Sequence, residues 1–224
     1  MSTILITGAN RGIGLEFVKQ YAGEGARIHA CCRNPDKAEA LRAVKGDVVV
    51  HALDVSDFAA IKALGVKIDE PLDIVIANAG VAGFDSGEMG DLNFSTFASV
   101  MTINAVSPIA TLEAFAPQLK RAKGKFAAIS SILSSFAVNM AFDPSYCASK
   151  AALNRALLAF APSFVNDGIA IGPFHPGWVR TDMGGPQADV AVEDSVSGLR
   201  KQIAKMRVDA PIRLIDYQGK EIGW

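Results

Sequence analysis

In YCASK, residues 146–150, a tyrosine precedes a lysine by four positions at the head of the helix-like run AALNRALLAF. Residues i and i+4 lie on one helix face, a turn apart, so Tyr146 and Lys150 point at one spot. A phenol with an ordinary pKa of about 10 is a weak proton donor at neutral pH. A cation within about 4–6 Å favours the phenolate and lowers that value. The pair therefore reads as an acid tuned by its neighbour, fit to protonate an oxygen that gains charge. Taken alone, the same two residues also describe a surface tyrosine and a solvated lysine, so the rest of the chain has to decide.

A second chemical signal is TGANRGIG, residues 7–14, between an apolar run and a helix-like one. Gly8, Gly12 and Gly14 let backbone approach a ligand closely, and the N–H groups of a helix start favour an anion. The spacing is G-x-x-x-G-x-G rather than G-x-G-x-x-G, and a plain tight turn is the competing reading. About 20 residues on, a chain that prefers NAD offers an acid to the adenosine ribose. Here the second strand ends in Cys32, Arg33 and Asn34, and the first acid is Asp36. Arg33 has the planar fork that pairs with phosphate, and Arg11 adds a cation inside the glycine loop. Arg33 by itself reads equally as a solvated loop arginine. Together the two predict NADP(H) in preference to NAD(H).

These residues need a scaffold. Apolar runs that read as strands buried on both faces lie at 3–7, 26–32, 47–53, 73–80, 125–131 and 168–176, with a late one at 213–217. Helical segments fall at 12–23, 35–45, 57–65, 93–122, 144–166 and 192–207. The alternation predicts an α/β fold: a Rossmann-like, doubly wound parallel sheet of about seven strands with helices on both faces, in a single domain over 1–224. No repeat, low-complexity tract or linker interrupts it. The irregular stretches 81–92 and 182–191 follow strand ends, where ligands bind in open α/β sheets.

Composition narrows the function classes. The chain has 224 residues, half of them hydrophobic, and a net charge of −1. That balance points away from nucleic acid and membrane surfaces as partners. Cys31, Cys32 and Cys147 form no disulfide framework and no metal spacing, so no metal and a reducing cytoplasm are expected. Cys31 and Cys32, adjacent in a strand, should face opposite sides of the sheet. The start MSTILITGAN lacks the basic and apolar regions of a signal peptide. No run approaches about 18 uninterrupted apolar residues, so no membrane span is expected.

TGANRGIG, LDV at 53–55, NAG at 78–80, Asn104 in MTINAVSP, ISS at 129–131, YCASK and HPGWVRTDM at 175–183 together resemble the short-chain dehydrogenase/reductases. The motifs occur in the family's order over essentially the whole chain. HPGWVRTDMGG, the short length and the ending DYQGKEIGW further resemble the C-factor and sniffer-type carbonyl reductase branch. The resemblance implies a catalytic set of Asn104, Ser131, Tyr146 and Lys150. The Ser–Tyr spacing is slightly longer than the commonest family arrangement, whose position is held here by Leu133. Ser131 is chosen over Ser130, Ser134 and Ser135 because it follows the strand in the family's I-S-S pattern.

The resemblance also assigns the cofactor contacts. Thr7, Gly8, Asn10, Arg11, Gly12, Ile13 and Gly14 would line the pyrophosphate and adenosine ribose, with Arg33 at the 2′-phosphate. Asp54 would accept from the adenine amino group with Val55 beside it, unless Asp54 instead caps the next helix. Asn78, Ala79 and Gly80 would lie on the adenosine side. Tyr146, Lys150, Pro176, Gly177, Val179 and Thr181 would meet the nicotinamide end. Lys150 would bond the nicotinamide ribose, and Asn104 would hold a water in a relay to Lys150.

Val81, Phe84, Ile132, Leu133, Met140, Phe142, Trp178 and Met183 are candidates for an apolar pocket taking a small-molecule carbonyl or alcohol, with core packing as the plain alternative. Residues 184–191 are a candidate lid. Phe94, Phe97, Leu112, Phe115 and Leu119 on one helix, and Leu153, Leu157, Phe160 and Phe164 on another, either pack on the sheet or, as in many family members, pair subunits in a homodimer or homotetramer. Two other functions compete with an NADP(H)-dependent carbonyl reductase. One is an NAD-dependent alcohol dehydrogenase, which Arg33 argues against. The other is a nucleotide-binding signalling or interaction protein, which would not need the intact Tyr146–Lys150 pair.

Overall fold

The computed structural model describes residues 1–83, 90, 92–138, 140 and 142–224. Eight strands form one sheet: β1 (Thr3–Thr7), β2 (Arg27–Cys32), β3 (Val48–Ala52), β4 (Ile74–Ala77), β5 (Lys125–Ile129), β6 (Ala170–His175), β7 (Leu214–Asp216) and β8 (Glu221–Ile222). The helices are α1 (Gly12–Gly23), α2 (Glu39–Arg42), α3 (Phe58–Lys67), α4 (Phe94–Met101), α5 (Ser107–Ala122), α6 (Pro144–Val165) and α7 (Val192–Ala204). The spatial order is β3-β2-β1-β4-β5-β6-β7-β8. Strands β1 to β7 pair in parallel and only β8 is antiparallel. The order reverses between β1 and β4, which opens a crevice at their carboxyl ends.

The strands are apolar throughout because both faces are covered. Ile4, Ile6, Phe17, Ile28, Leu41, Leu199 and Ile203 build one core under α1, α2 and α7. Leu5, Val75, Leu112, Phe115, Phe126, Leu153 and Leu157 build the other under α3, α5 and α6. Cys32 belongs to the first core and Cys31 to the second, as strand alternation requires.

Three elements differ from the sequence reading. The sheet has eight strands rather than about seven, because Gly219, at φ +95°, lets the chain reverse after β7. Asp216 Oδ1 holds that turn through the N–H groups of Gln218 and Lys220, and a two-residue strand is too short to show a period. The segment 35–45 begins with a 3-10 turn at Pro35–Lys37 and keeps only one α-helical turn, α2. The long helix at 93–122 contains a π-helical stretch, Thr102–Val106, between α4 and α5.

This composite helix, Phe94–Ala122, is long and apolar enough to cross a membrane by length and composition alone. Here it is a layer helix. Leu112, Phe115 and Leu119 are fully buried on the sheet, and Gln118 Nε2 donates to the carbonyls of Gly65 and Ile68. Leu153 and Leu157 of α6 are likewise buried, whereas Phe94 and Phe160 stay exposed. The sheet-packing reading therefore holds for the centre of each helix face and fails at Phe94 and Phe160.

Candidate active site

The crevice floor is a stitched seam between β1 and β4. Thr7 Oγ1 accepts from the N–H groups of Asn78 and Ala79, both at 3.1 Å. Asn78 Nδ2 donates to the carbonyls of Thr7 and Gly8 at 3.0 and 3.1 Å. The polar groups of Thr7 and Asn78 are thus spent on holding the strand ends together. Gly8 has φ +65°, and a Cβ there would lie 2.9 Å from Ala79 Cα. At Gly14 a Cβ would fall 2.2 Å from Gly8 O. The loop is as tight as backbone allows, which explains these two glycines.

Arg11 occupies the cap position of α1 and makes no side-chain capping bond. By contrast, α3, α4 and α6 are capped by Asp57, Asn93 and Asp143. The first-turn N–H groups of α1, with no acidic residue beside them, are suited to a diphosphate. Asn10, Arg11 and Arg33 are exposed around this start, and Ile13 is half-buried. Arg33 follows β2 next to Asp54, whose carboxyl is held below its usual value by bonds from Ser56 and, less, by Arg33. Asp54 Oδ1 accepts from Ser56 N and Ser56 Oγ. The helix cap considered for it belongs to Asp57, which accepts from Ala60 N. Val55 beside it is buried.

At the other end of the crevice, Asp143 starts α6. Its Oδ1 accepts from Ser145 Oγ at 2.6 Å and Tyr146 N at 3.0 Å, and Pro144 follows at the first helical position. This fixes the first turn and the directions of Tyr146 and Lys150. The Ser131 side chain faces the Tyr146 phenol closely enough to favour its ionised form. Among the neighbouring serines, Ser130 bonds Asn154, Ser134 bonds the Ser131 carbonyl and Ser135 bonds the Gly223 carbonyl. Ser131 is therefore the serine the fold brings to Tyr146.

The electrostatics differ from the expectation in one respect. Lys150 Nζ lies 5.7 Å from the Tyr146 ring centroid and donates to Ile129 O at 2.7 Å. Burial pushes the Tyr146 phenol up to about 12, and the neighbouring Ser131 side chain opposes the rise. Burial also brings Lys150 down to about 8. Desolvation outweighs the cation–phenol attraction that the spacing alone predicts.

Asn104 lies in the π-helical stretch, a local irregularity common at functional sites. It is fully buried. Its Oδ1 accepts from Val81 N, and its Nδ2 donates to Val81 O and to Ser149 Oγ. The side chain thus braces the segment after β4 against α6. A Cβ on Gly80 would sit 3.3 Å from Asn104 Oδ1 and 3.7 Å from Lys150 Nζ, so Gly80, Asn104 and Lys150 share one corner.

After β6, Gly177 turns the chain at φ +86°, and Pro176 O accepts from Ser195 Oγ. Val179 is buried, and its backbone forms an isolated parallel bridge with Val190. Thr181 reaches the glycine loop: its Cγ2 is 3.3 Å from where a Gly12 Cβ would be.

None of the described apolar pocket candidates is a core residue. Met140, Phe142, Trp178 and Met183 are exposed, and Val81, Ile132 and Leu133 are half-buried. Phe84 lies outside the described residues. Sequence reasoning missed Asp182, Asn154 and His175, whose Nδ1 accepts from Ile132 N. Asn154 was findable, one turn beyond Lys150. Among the described residues no group of three or more His, Cys, Asp or Glu could hold a metal ion.

A parallel sheet, an uncapped helix start at its switch point and a Ser–Tyr–Lys group beside it are the features of a nucleotide-binding α/β protein. The short chain dehydrogenase family model matches residues 2–191, and the chain belongs to that family. It is 37% identical to the C-signal of Myxococcus xanthus over 156 residues, 69% of this chain and 93% of that protein. The NADPH-bound carbonyl reductase from chicken fatty liver superposes with a TM-score of 0.91 at 30% identity, covering 100% of this chain and 99% of that one. The carbonyl reductase Sniffer of D. melanogaster superposes with a TM-score of 0.92 at 29% identity, covering 100% of both.

Proposed function

We propose that this protein is an NADP(H)-dependent carbonyl reductase, running hydride transfer between nicotinamide and a carbonyl or alcohol with Tyr146 as general acid–base. The convergence of Ser131, Tyr146 and Lys150 at the end of the crevice carries the reading. The residues fit the cofactor: an uncapped α1 start for the diphosphate, and Arg11 and Arg33, with no acid at the end of β2, for a 2′-phosphate. The NADPH-bound chicken relative supports the same choice.

When bound, the reduced nicotinamide supplies the hydride. The protein supplies the rest. Ser131 Oγ orients the carbonyl oxygen and stabilises the charge it gains. Tyr146, kept protonated by burial, gives that oxygen a proton. Lys150 holds positive charge behind the phenol and is placed to bond the nicotinamide ribose. Asn104 keeps the corner around Lys150 in shape. The exposed apolar side chains of Met140, Phe142, Trp178 and Met183 favour an apolar or aromatic carbonyl. We also propose a homodimer or homotetramer in a reducing cytoplasm, with the exposed Phe94 and Phe160 as candidate contact residues.

The test is NADPH oxidation against a panel of aldehydes, ketones and quinones, with Tyr146→Phe as control. Turnover that disappears in the variant, while NADPH binding stays within a few fold, supports the reading. Equal turnover in the variant removes the acid role. The similarity to C-signal favours a second reading, a nucleotide-binding signalling protein. NADPH binding without turnover on any carbonyl would point there.

A further inference from the structure

Ser131 stands on the segment between β5 and α6, whereas Tyr146 and Lys150 stand on α6 itself. The two parts must be held at one spacing for a carbonyl oxygen to meet both hydroxyls. Asn154, one turn beyond Lys150 and 2% exposed, links them. Its Oδ1 accepts from Ser130 Oγ at 2.7 Å, and its Nδ2 donates to Ser134 Oγ at 2.6 Å. Ser134 Oγ in turn donates to the Ser131 carbonyl at 2.5 Å. Ser130, Ser131 and Ser134 are all buried. One amide thus grips the residue before Ser131 and the turn after it. Lys150, bonded to Ile129 O, is the preceding rung of the same ladder.

A buried amide has to satisfy both its donor and its acceptor, so it admits few arrangements, where an apolar contact would tolerate sliding. Ser131 Oγ already accepts from Leu133 N at 3.1 Å, so its remaining direction is set by the backbone that Ser134 holds. We infer that Asn154 is a positioning residue for carbonyl reduction, strapping Ser131 to the helix that carries Tyr146 and Lys150. This rests on the reductase reading above. A misplacement of about 1 Å in such a group can cost about 100-fold in rate.

The experiment compares Asn154→Ala, Ser134→Ala and the double variant by steady-state kinetics, NADPH titration and amide hydrogen exchange. Asn154→Ala should lower kcat by about 10- to 100-fold with NADPH Kd within twofold. Ser134→Ala, the milder change, should lower kcat in the same direction. The double variant should be no slower than Asn154→Ala, because both act through one strap. Effects that multiply, a kcat within twofold of wild type in both single variants, or an NADPH Kd that weakens in step with kcat would each overturn the inference. If the wild-type protein reduces no carbonyl, the reductase reading fails and exchange alone decides the strap. Asn154→Ala should then speed exchange at residues 131–135 while residues 4–7 stay protected, and unchanged exchange at 131–135 would overturn it.

Discussion

Arg11 and Asp182 meet at 2.6 Å across the mouth of the crevice, joining the glycine loop to the segment after β6. Under the proposed NADP(H) reading, Asp182 competes with the cofactor's 2′-phosphate for Arg11. Both side chains are largely exposed, and such pairs contribute under about 1 kcal/mol. Asp182→Asn should tighten NADPH by about two- to fivefold at low salt and leave NADH unchanged. The gain should vanish at high ionic strength, which a fluorescence titration at two salt concentrations reads directly. Arg33→Asp should act oppositely, weakening NADPH and favouring NADH.

Lys150→Met should abolish turnover yet stabilise the fold. Burial lowers the Lys150 pKa from 10.5 to about 8, so at neutral pH the protein carries a charge its interior disfavours. The penalty is full below pH 8 and is relieved as pH rises toward 10.5, where the unfolded chain binds the extra proton. Removing it returns about 3 kcal/mol, offset in part by the lost bond to Ile129 O. A net gain of about 1 kcal/mol should raise Tm by about 2–4 °C at pH 7. A lower Tm in the variant would show that the bond to Ile129 outweighs the burial cost.

Gly14→Ala should cost about 3 kcal/mol or more. Its Cβ would sit 2.2 Å from Gly8 O and 2.5 Å from Asn78 Nδ2, so the seam between β1 and β4 must open and NADPH binding should be lost with it. Gly23→Ala is the control: nothing lies within 4 Å, and stability should be unchanged or rise by up to about 1 kcal/mol. Urea denaturation separates the two.

How far the chain could be read depends on the range of each signal. The strands and α1 were legible because their apolar pattern is local and continuous. Tyr146 and Lys150 could be paired from the sequence because they are one helical turn apart, whereas Ser131, two residues past the end of β5, was reached only through the family resemblance. The phenol's raised pKa was not legible, since desolvation depends on what the whole fold packs around Tyr146. Nor was the π-helical stretch at Asn104: its β-branched residues Thr102, Ile103 and Val106 only weaken a helix locally, and nothing in them specifies the extra residue in the turn. Asp182 was hidden because its partner, Arg11, lies at the far end of the sequence and only topology joins them.

The fold should weaken in mild acid. His29 Nδ1 and His51 Nε2 are 2.9 Å apart beneath the β2–β3 edge, and Glu70 pairs with the other nitrogen of His29. Burial lowers His51 and His175 to about 4, and lowers His29 as well. Above pH 6.5 all are neutral in both states and stability is full. Between 6.5 and 4 the unfolded chain binds protons that the fold refuses, so stability falls as pH falls, by up to about 3 kcal/mol for His51. Urea midpoints at pH 7 and 5 should differ, and His51→Phe should shrink that difference while lowering the midpoint at pH 7.

The three thiols are walled off from one another. Cys31 and Cys32 are neighbours in sequence yet open into separate cores, while Cys147 alone is part-exposed, beside Tyr146 on α6. For the bench chemist this is a protein with a single address. A maleimide applied to the native chain should add once, at Cys147, and a mass spectrum after tryptic digestion checks it. A dye placed there stands on the first turns of α6, one residue from Tyr146, and a change in its emission on adding NADPH would report on that end of the crevice.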